Sequence, residues 1–295
     1  MVEKAINAEG GIEYVLSAEE RAEIRSKYPN TYFPDPSMEP LWHGRRERIR
    51  VPDKAAIVDQ TAKDGPFVLG ICSEKYKVIF YEDIVHMVEN SVGKITGYGE
   101  IQVKPYTYLD GGRLRCTIHF PEMKTAIKKL DSIIPKIEVF SSYDLSTKLM
   151  GKFGAFQLKC LNGVGIWKSF KQFAKRHLQN LFLNDLGNVI SEGLSIYGDQ
   201  VNQWKLWGET KISEKLYEEV WESLPFSAAE RVKIEELPEI GTGLLLSAPR
   251  NDLDLWSLSS ILTQFSTHHV RSEVRKIELE PAIARVMEQT FLKAA

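Results

Sequence analysis

Between residues 46 and 161 the apolar positions recur mainly with a period of two, and beyond about residue 167 they recur with a period near 3.6. Residues 67–72 and 77–81 read as strands separated by the polar turn Ser73-Glu74-Lys75, and residues 81–92 read as a helix with Ile84, Val85 and Val88 on one face. Residues 101–108 and 113–120 predict a hairpin around Asp110-Gly111-Gly112, where glycine supplies the positive φ of a tight turn. Pro105 has no N–H to give a ladder, which places the first of these strands at a sheet edge. A short helix is expected over 124–134 and strands over 137–142 and 152–161. A helical stripe then runs from Trp167, Phe170 and Ala174 through Leu178 and Leu181 to Trp204, and further helices are expected over 214–224, 228–237, 253–265 and 281–293. Ahead of all this, residues 1–45 read as an arm with one short helix, opened by a capping box of Ser17 and Glu20, and a proline-rich connection at Pro34, Pro36 and Pro40. The expected fold class is α+β: an antiparallel β-sheet with a long packed helix, followed by a helical C-terminal region. The units are an arm (1–45), an α+β core (46–207) and a helical region (208–295).

Composition narrows the class. A chain of 295 residues with 43% hydrophobic and 26% charged side chains has the make-up of a soluble globular protein. Its net charge of −2 excludes a uniformly basic surface. Three cysteines without a Cys-x-x-Cys pair disfavour a disulfide framework or a cysteine-rich zinc site. The charged N-terminal stretch lacks the apolar core of a signal peptide, and no run reaches the roughly 18 apolar residues of a membrane span. The expected location is the cytoplasm, that of the host cell for a phage-encoded chain, with no membrane partner. Charge is unevenly spread: residues 101–180 hold fourteen basic against five acidic side chains, and residues 207–240 hold four against nine. Two surfaces with different partners are therefore expected, nucleic acid for the first and a protein for the acidic C-terminal helices.

The basic excess concentrates over residues 152–177, which carry six basic side chains, five aromatics and no acid. Cations neutralise phosphates and aromatic faces stack on bases, the combination used by single-strand grooves. Lys159, with Gln157, is expected to point outward from its strand, and Phe156, Leu158 and Cys160 to share the other face. Lys168, Lys171 and Lys175 fall on one ridge of the following helix, with Arg176 beside them. Asn162-Gly163-Val164-Gly165 leads into that helix, and a glycine-rich turn there would present free N–H groups to an anion. On the hairpin, Leu114, Cys116, Ile118 and Phe120 take one face and Arg113, Arg115, Thr117 and His119 the other, with Gln102, Lys104, Tyr106 and Tyr108 extending it. The nucleic-acid-binding candidates are thus Arg113, Arg115, Lys159, Lys168, Lys171, Lys175 and Arg176 for phosphates, with Phe153 and Tyr106 for stacking.

Catalytic motifs are missing. No Gly-Lys-Ser/Thr triplet, Gly-x-Gly-x-x-Gly, His-Glu-x-x-His or Gly-x-Ser-x-Gly occurs, so no nucleotide cofactor, metal or catalytic residue is expected. An enzyme would need distant side chains such as His119, Asp144 and His177 to converge.

Trp42-His43-Gly44, Ser73-Glu74-Lys75-Tyr76-Lys77-Val78 with the helix after it, the hairpin over 112–121, Ser142-Tyr143-Asp144 and Gln157-Leu158-Lys159-Cys160-Leu161-Asn162 together resemble a family of phage- and plasmid-encoded proteins of unknown function, over residues 42–200. That family shows Arg-Val-x-Cys-x-Asn near its last strand; here Gln157 stands in place of the arginine. The strand–hairpin–helix layout is similar to phage single-strand annealing proteins of the Redβ–RecT class. That resemblance implies a homo-oligomer that binds single-stranded DNA, or RNA, in a basic groove and promotes annealing and recombination. The alternative is a non-enzymatic phage assembly or protein-interaction factor.

Overall fold

The computed structural model describes residues 3–6, 12–44, 47–93, 99–128, 131–158, 162–165, 173–175, 184–237 and 253–294. A hairpin of β1 (Glu3–Ile6) and β2 (Ile12–Val15) leads into α1 (Ala18–Lys27). The capping box forms as expected: Glu20 N donates to Ser17 Oγ at 3.2 Å and Ser17 N donates to Glu20 Oε2 at 2.8 Å. Within the expected arm 1–45, α1 and β3 are tied to the rest of the chain. Arg21 and Arg25 of α1 hold Asp83 and Glu82, buried carboxylates on the first turn of α2 (Tyr81–Gly93). β3 (Pro36–His43) joins β4 (Ile49–Asp59) and β5 (Phe67–Ser73) in an antiparallel three-stranded sheet.

The stretch 77–80 is irregular where a strand is expected. Its anchors are a buried Ile79 side chain and the Tyr143 hydroxyl, which donates to Ile79 O at 2.7 Å, rather than a ladder. α2 buries Ile84, Val85 and Val88, the apolar face read from sequence, and Val92 with them.

The main sheet is antiparallel and orders β11-β10-β9-β7-β6. Its strands are β6 (Gln102–Tyr108), β7 (Arg113–His119), β8 (Thr125–Lys128), β9 (Asp131–Ser142), β10 (Leu149–Gln157), β11 (Asn162–Gly165) and β12 (Phe173–Lys175). β8 pairs with the start of β9, and β12 pairs with β10. The Pro105 strand lies at the edge, as its missing N–H requires. The turn of the β6–β7 hairpin runs through three left-handed residues, Leu109, Asp110 and Gly111 (φ 52°, 53° and 82°). The helix expected over 124–134 is instead β8 and the beginning of β9. β7 covers β9 only from Lys136 onward, so β8 pairs the side of Asp131–Ile133 that β7 leaves open, while β10 reaches Ile133 on the other side.

A second correction concerns the long helix. Phe173, Ala174 and Lys175 are strand, paired with Gly151, Met150 and Leu149. Lys175 therefore lies in a strand rather than on a helical ridge, and Lys168 and Lys171 lie outside the described residues. The long helix is α3 (Asn184–Glu209), packed on the apolar side of the sheet. A β-carbon at Gly193 would lie 2.5 Å from the Phe153 ring, so glycine there permits the close approach of helix and strand.

α4 (Glu214–Ser223), α5 (Ala228–Glu235), α6 (Leu255–Gln264) and α7 (Glu273–Ala294) complete the fold. α6 is buried on every side from Leu255 to Thr263, between α3, α7 and β11. Its serines and threonines fit such a site because they turn back on the helix: Ser260 Oγ donates to Trp256 O and Thr263 Oγ1 to Ser259 O, both at 2.9 Å. One continuous apolar core joins the sheets to the C-terminal helices.

Candidate nucleic-acid interface

β7 alternates as its sequence demands. Leu114, Cys116 and Ile118 are fully buried against the helices, and Arg113, Arg115, Thr117 and His119 face the other way. Register carries that outer face across the sheet in rows. Tyr108, Arg113 and Ser142 form one row, and Tyr106, Arg115, Phe140 and Met150 the next. Lys104, Thr117, Glu138 and Lys152 form the third; Gln102, His119, Lys136 and Gly154 form the fourth.

The face is open at β6 and closed toward β10. Tyr106 is 61% exposed and Lys104 is exposed, whereas Lys136, Glu138 and Lys152 are only 7%, 3% and 4% exposed. Tyr106 stacks on Tyr108 with centroids 5.9 Å apart and planes 10° from parallel. The Arg113 guanidinium lies 6.0 Å from the Tyr108 ring, and its Nε donates to Asp144 Oδ2 at 2.6 Å. Arg115 grips Glu138 with two nitrogens, Nε at 2.8 Å, and lies 5.8 Å from the Phe140 ring. Lys136 Nζ is 3.1 Å from the other oxygen of Glu138. Lys152, directly opposite Glu138, sits 5.2 Å from the Phe140 ring and 3.5 Å from Glu280 on α7.

These charges set the titration of their neighbours. Burial alone would raise the Glu138 carboxyl, but Lys136, Arg115 and Lys152 together hold it well below the usual carboxylate range. His119 is also pushed down, which for an imidazole favours the neutral form: burial, then Lys136 and Lys104, bring it to about 4. Its ring stacks on Phe156 at 5.1 Å, and its Nε2 is buried without a hydrogen-bond partner. A folded-state value below the unfolded one of about 6.5 means the unfolded chain binds the extra proton first. Stability from His119 is therefore fully present above about pH 6.5 and is lost as pH falls toward about 4. Urea midpoints measured across that window should fall for the parent and fall less steeply for His119→Phe; parallel curves would refute this assignment.

The sequence candidates meet different fates. Arg113, Arg115 and Tyr106 lie together on the outer face. Phe153, 3% exposed, lies on the opposite face, enclosed by Gly193 and edge-on to Tyr197 at 6.1 Å. The two faces of β10 are thus reversed from expectation. Phe156 joins the charged face, and Gln157 is buried, donating to Asp131 and, at 3.2 Å, to Ser260. Lys175 lies in β12 opposite Leu149. Lys159, Lys168, Lys171 and Arg176 lie outside the described residues. Asn162–Gly165 forms strand β11, paired with β10, where a glycine-rich turn is expected, and residues 166–172 lie outside the described residues. His119 and the Arg113-bound Asp144 lie at opposite ends of β7, roughly 20 Å apart at about 3.3 Å per residue, so they do not form a catalytic pair; His177 lies outside the described residues.

The buried charges Lys136 and Glu138 were missed as site residues. Their signal was the alternation Lys136-Ile137-Glu138-Val139, one polar face of a strand next to β7. Among the described residues, no group of three or more His, Cys, Asp or Glu is placed to hold a metal ion, and no helix is long and apolar enough to cross a membrane. No protein-family model, curated protein or solved structure matches the chain.

Proposed function

We propose that this chain binds single-stranded nucleic acid along the open β6–β7 edge of the main sheet and promotes annealing of complementary strands as a homo-oligomer, without a nucleotide cofactor. The observation that carries the reading is the stack of exposed Tyr106 on half-buried Tyr108, set between the cations Lys104, Arg113 and Arg115 on one face. Alternate residues along a strand repeat at about 6.6 Å, a spacing that suits successive contacts to an extended backbone. Asp144 and Glu138 already hold the two arginines, so Lys104 and Tyr106 supply the accessible charge and stacking surface.

A fluorescence-anisotropy titration with a labelled oligonucleotide at several salt concentrations tests this. Tyr106→Ala should weaken binding by about 1–3 kcal/mol, roughly 5- to 150-fold, at unchanged salt slope. Lys104→Ala should flatten the slope of log K against log salt by about 0.7. Absence of binding at low salt sinks the proposal.

The second reading, a phage assembly factor, is favoured by β5, an edge strand of the three-stranded sheet, which exposes Phe67, Val68 and Ile71. Light scattering with and without DNA separates the two, since an assembly factor would oligomerise and ignore the oligonucleotide.

A further inference from the structure

We infer that the cavity beside the open edge of β6 receives one nucleobase of the bound strand, turned out of its stack. The inference rests on the strand-binding reading above and specifies where a base of that strand goes.

A cavity of about 640 Å³ lies where the ends of α1 and α2 meet β6, within the range of about 300–1,000 Å³ common for small-ligand sites. Tyr28, Val92, Ile101 and Val103 give it an apolar wall continuous with the core. Lys27 and Tyr28 both donate to Glu89, so the ammonium and the carboxylate in the wall balance each other. Lys104, which also lines the cavity, is exposed.

The sheet register adds a second observation, independent of the cavity. The N–H and C=O of a strand residue point to one side, and residues two apart share that side. Phe120 N donates to Pro135 O at 3.3 Å, toward β9, so the alternate residues Thr117 and His119 bond toward β6. They lie opposite Lys104 and Gln102. Val103, between those two, therefore turns its N–H and C=O away from β7, at the edge that the cavity adjoins. Pro105 follows the same parity, and its carbonyl accepts from Thr31 Oγ1 at 2.8 Å on that side. One donor beside one acceptor is what the edge of an unstacked base matches.

Two features favour a base over a peptide strand or a phosphate. Strand addition needs a run of ladder bonds, but Pro105 has no N–H, its carbonyl is taken by Thr31, and Thr107 Oγ1 donates to Tyr32 O just beyond. The open stretch is too short for a ladder and long enough for one base. The C-terminal ends of α1 and α2, at Lys27 and Gly93, both line the cavity and turn the negative ends of their dipoles toward it, which disfavours a phosphate inside. The phosphate instead belongs at Lys104. Lys104 and Tyr106 are one strand repeat apart, about 6.6 Å, so a phosphate at Lys104 has one base over Tyr106 and the next at the cavity.

Gly93 supplies the test. A β-carbon there meets no atom within 4 Å, so Gly93→Phe fills the cavity without displacing the fold, and its urea midpoint should match that of Gly93→Ala. By anisotropy, Gly93→Phe should bind a short single strand about tenfold more weakly than the parent at unchanged salt slope, while Gly93→Ala should bind like the parent. A strand with 5-iodouracil in place of thymine should photo-crosslink to Tyr28 and to Tyr106 in the parent, as located by mass spectrometry. In Gly93→Phe the Tyr28 adduct should vanish and the Tyr106 adduct persist. Parent-like affinity in Gly93→Phe, or no adduct at Tyr28 in the parent, overturns the inference and leaves the strand-binding reading intact. So does a change of oligomer mass in Gly93→Phe with strand affinity unchanged, which would assign the cavity to a protein segment. No binding of any strand at low salt brings down the reading beneath it instead.

Discussion

Glu138→Ala should destabilise the fold by about 3–5 kcal/mol, because it leaves Lys136 and Arg115, and Lys152 across the ladder, around an empty position inside the sheet face. Removing one member of a buried ion cluster is far more damaging than never having built it, since the remaining charges keep their desolvation penalty. Glu138→Gln tests charge apart from shape. It can still accept from Arg115 but cannot neutralise three cations, so it should recover only a minor part of the loss. Adding Lys136→Met to Glu138→Gln removes one of the unbalanced charges and should return part of the stability, which a double-mutant cycle by urea unfolding would measure. The pH dependence has a definite sign. The folded value of Glu138 is depressed below the unfolded one of about 4.3, so its contribution is fully present above that pH and is lost only as pH falls through the much lower folded value. Parent and Glu138→Gln should therefore differ by a constant amount from neutral pH down to about 5 and converge only in strong acid. A loss below about 1 kcal/mol at neutral pH would mean that water solvates these cations well enough to make Glu138 dispensable.

The charged face was partly legible in the sequence, and the reason differs from strand to strand. β7 declared its two sides because Leu114, Cys116 and Ile118 alternate with Arg113, Arg115, Thr117 and His119, so a single parity fits. β10 did not, because Met150 and Phe156 on one side and Phe153 and Ala155 on the other are all plausible core residues. Both sides are in fact largely buried, and a strand covered on both faces carries no alternation to read. Residues 124–134 fit a helix as well as a strand because a short apolar run suits either period, and the deciding fact, the side of the start of β9 that β7 leaves open and β8 fills, lies in the pairing rather than the run. The basic and aromatic stretch 152–177 shows why composition misleads. Lys152 points to Glu138 and Glu280, Phe153 to α3 and Phe156 to His119, and Lys175 sits in a strand opposite Leu149. Neighbours in sequence were dispersed to different sides by a period of two, while the residues that do meet came from β6, β7, β9 and β10.

Trp204→Ala is expected to cost about 3–5 kcal/mol, and Trp204→Phe much less, because the indole contributes volume but no hydrogen bond. Trp204 is fully buried where α3 crosses α6, 5.9 Å from Trp256 with the rings tilted 54°, and its Nε1 has no partner. Phenylalanine gives up part of the packing and also removes a buried N–H that gains nothing from the fold, so the two effects offset. Trp256 is the reverse case. Its Nε1 donates to Asp131 Oδ2 at 2.6 Å, and the same oxygen accepts from Gln157. That junction ties α6 to the first residue of β9 and the last of β10. Trp256→Phe deprives a buried carboxylate of a donor, and should cost more than Trp204→Phe. The order Trp204→Phe, Trp256→Phe, Trp204→Ala, from least to most destabilising, can be read from urea midpoints. The chain of contacts also predicts where the damage spreads. Trp204 supports Trp256, Trp256 holds Asp131, and Asp131 fixes the start of the strand that carries Lys136 and Glu138 to the outer face. Hydrogen exchange in Trp204→Ala should therefore speed up in β9 and β10 before it does in the three-stranded sheet of β3, β4 and β5, which has no part in that chain. Trp204→Phe proving as damaging as Trp204→Ala would show that the indole nitrogen has a partner in solution and that the junction is built differently.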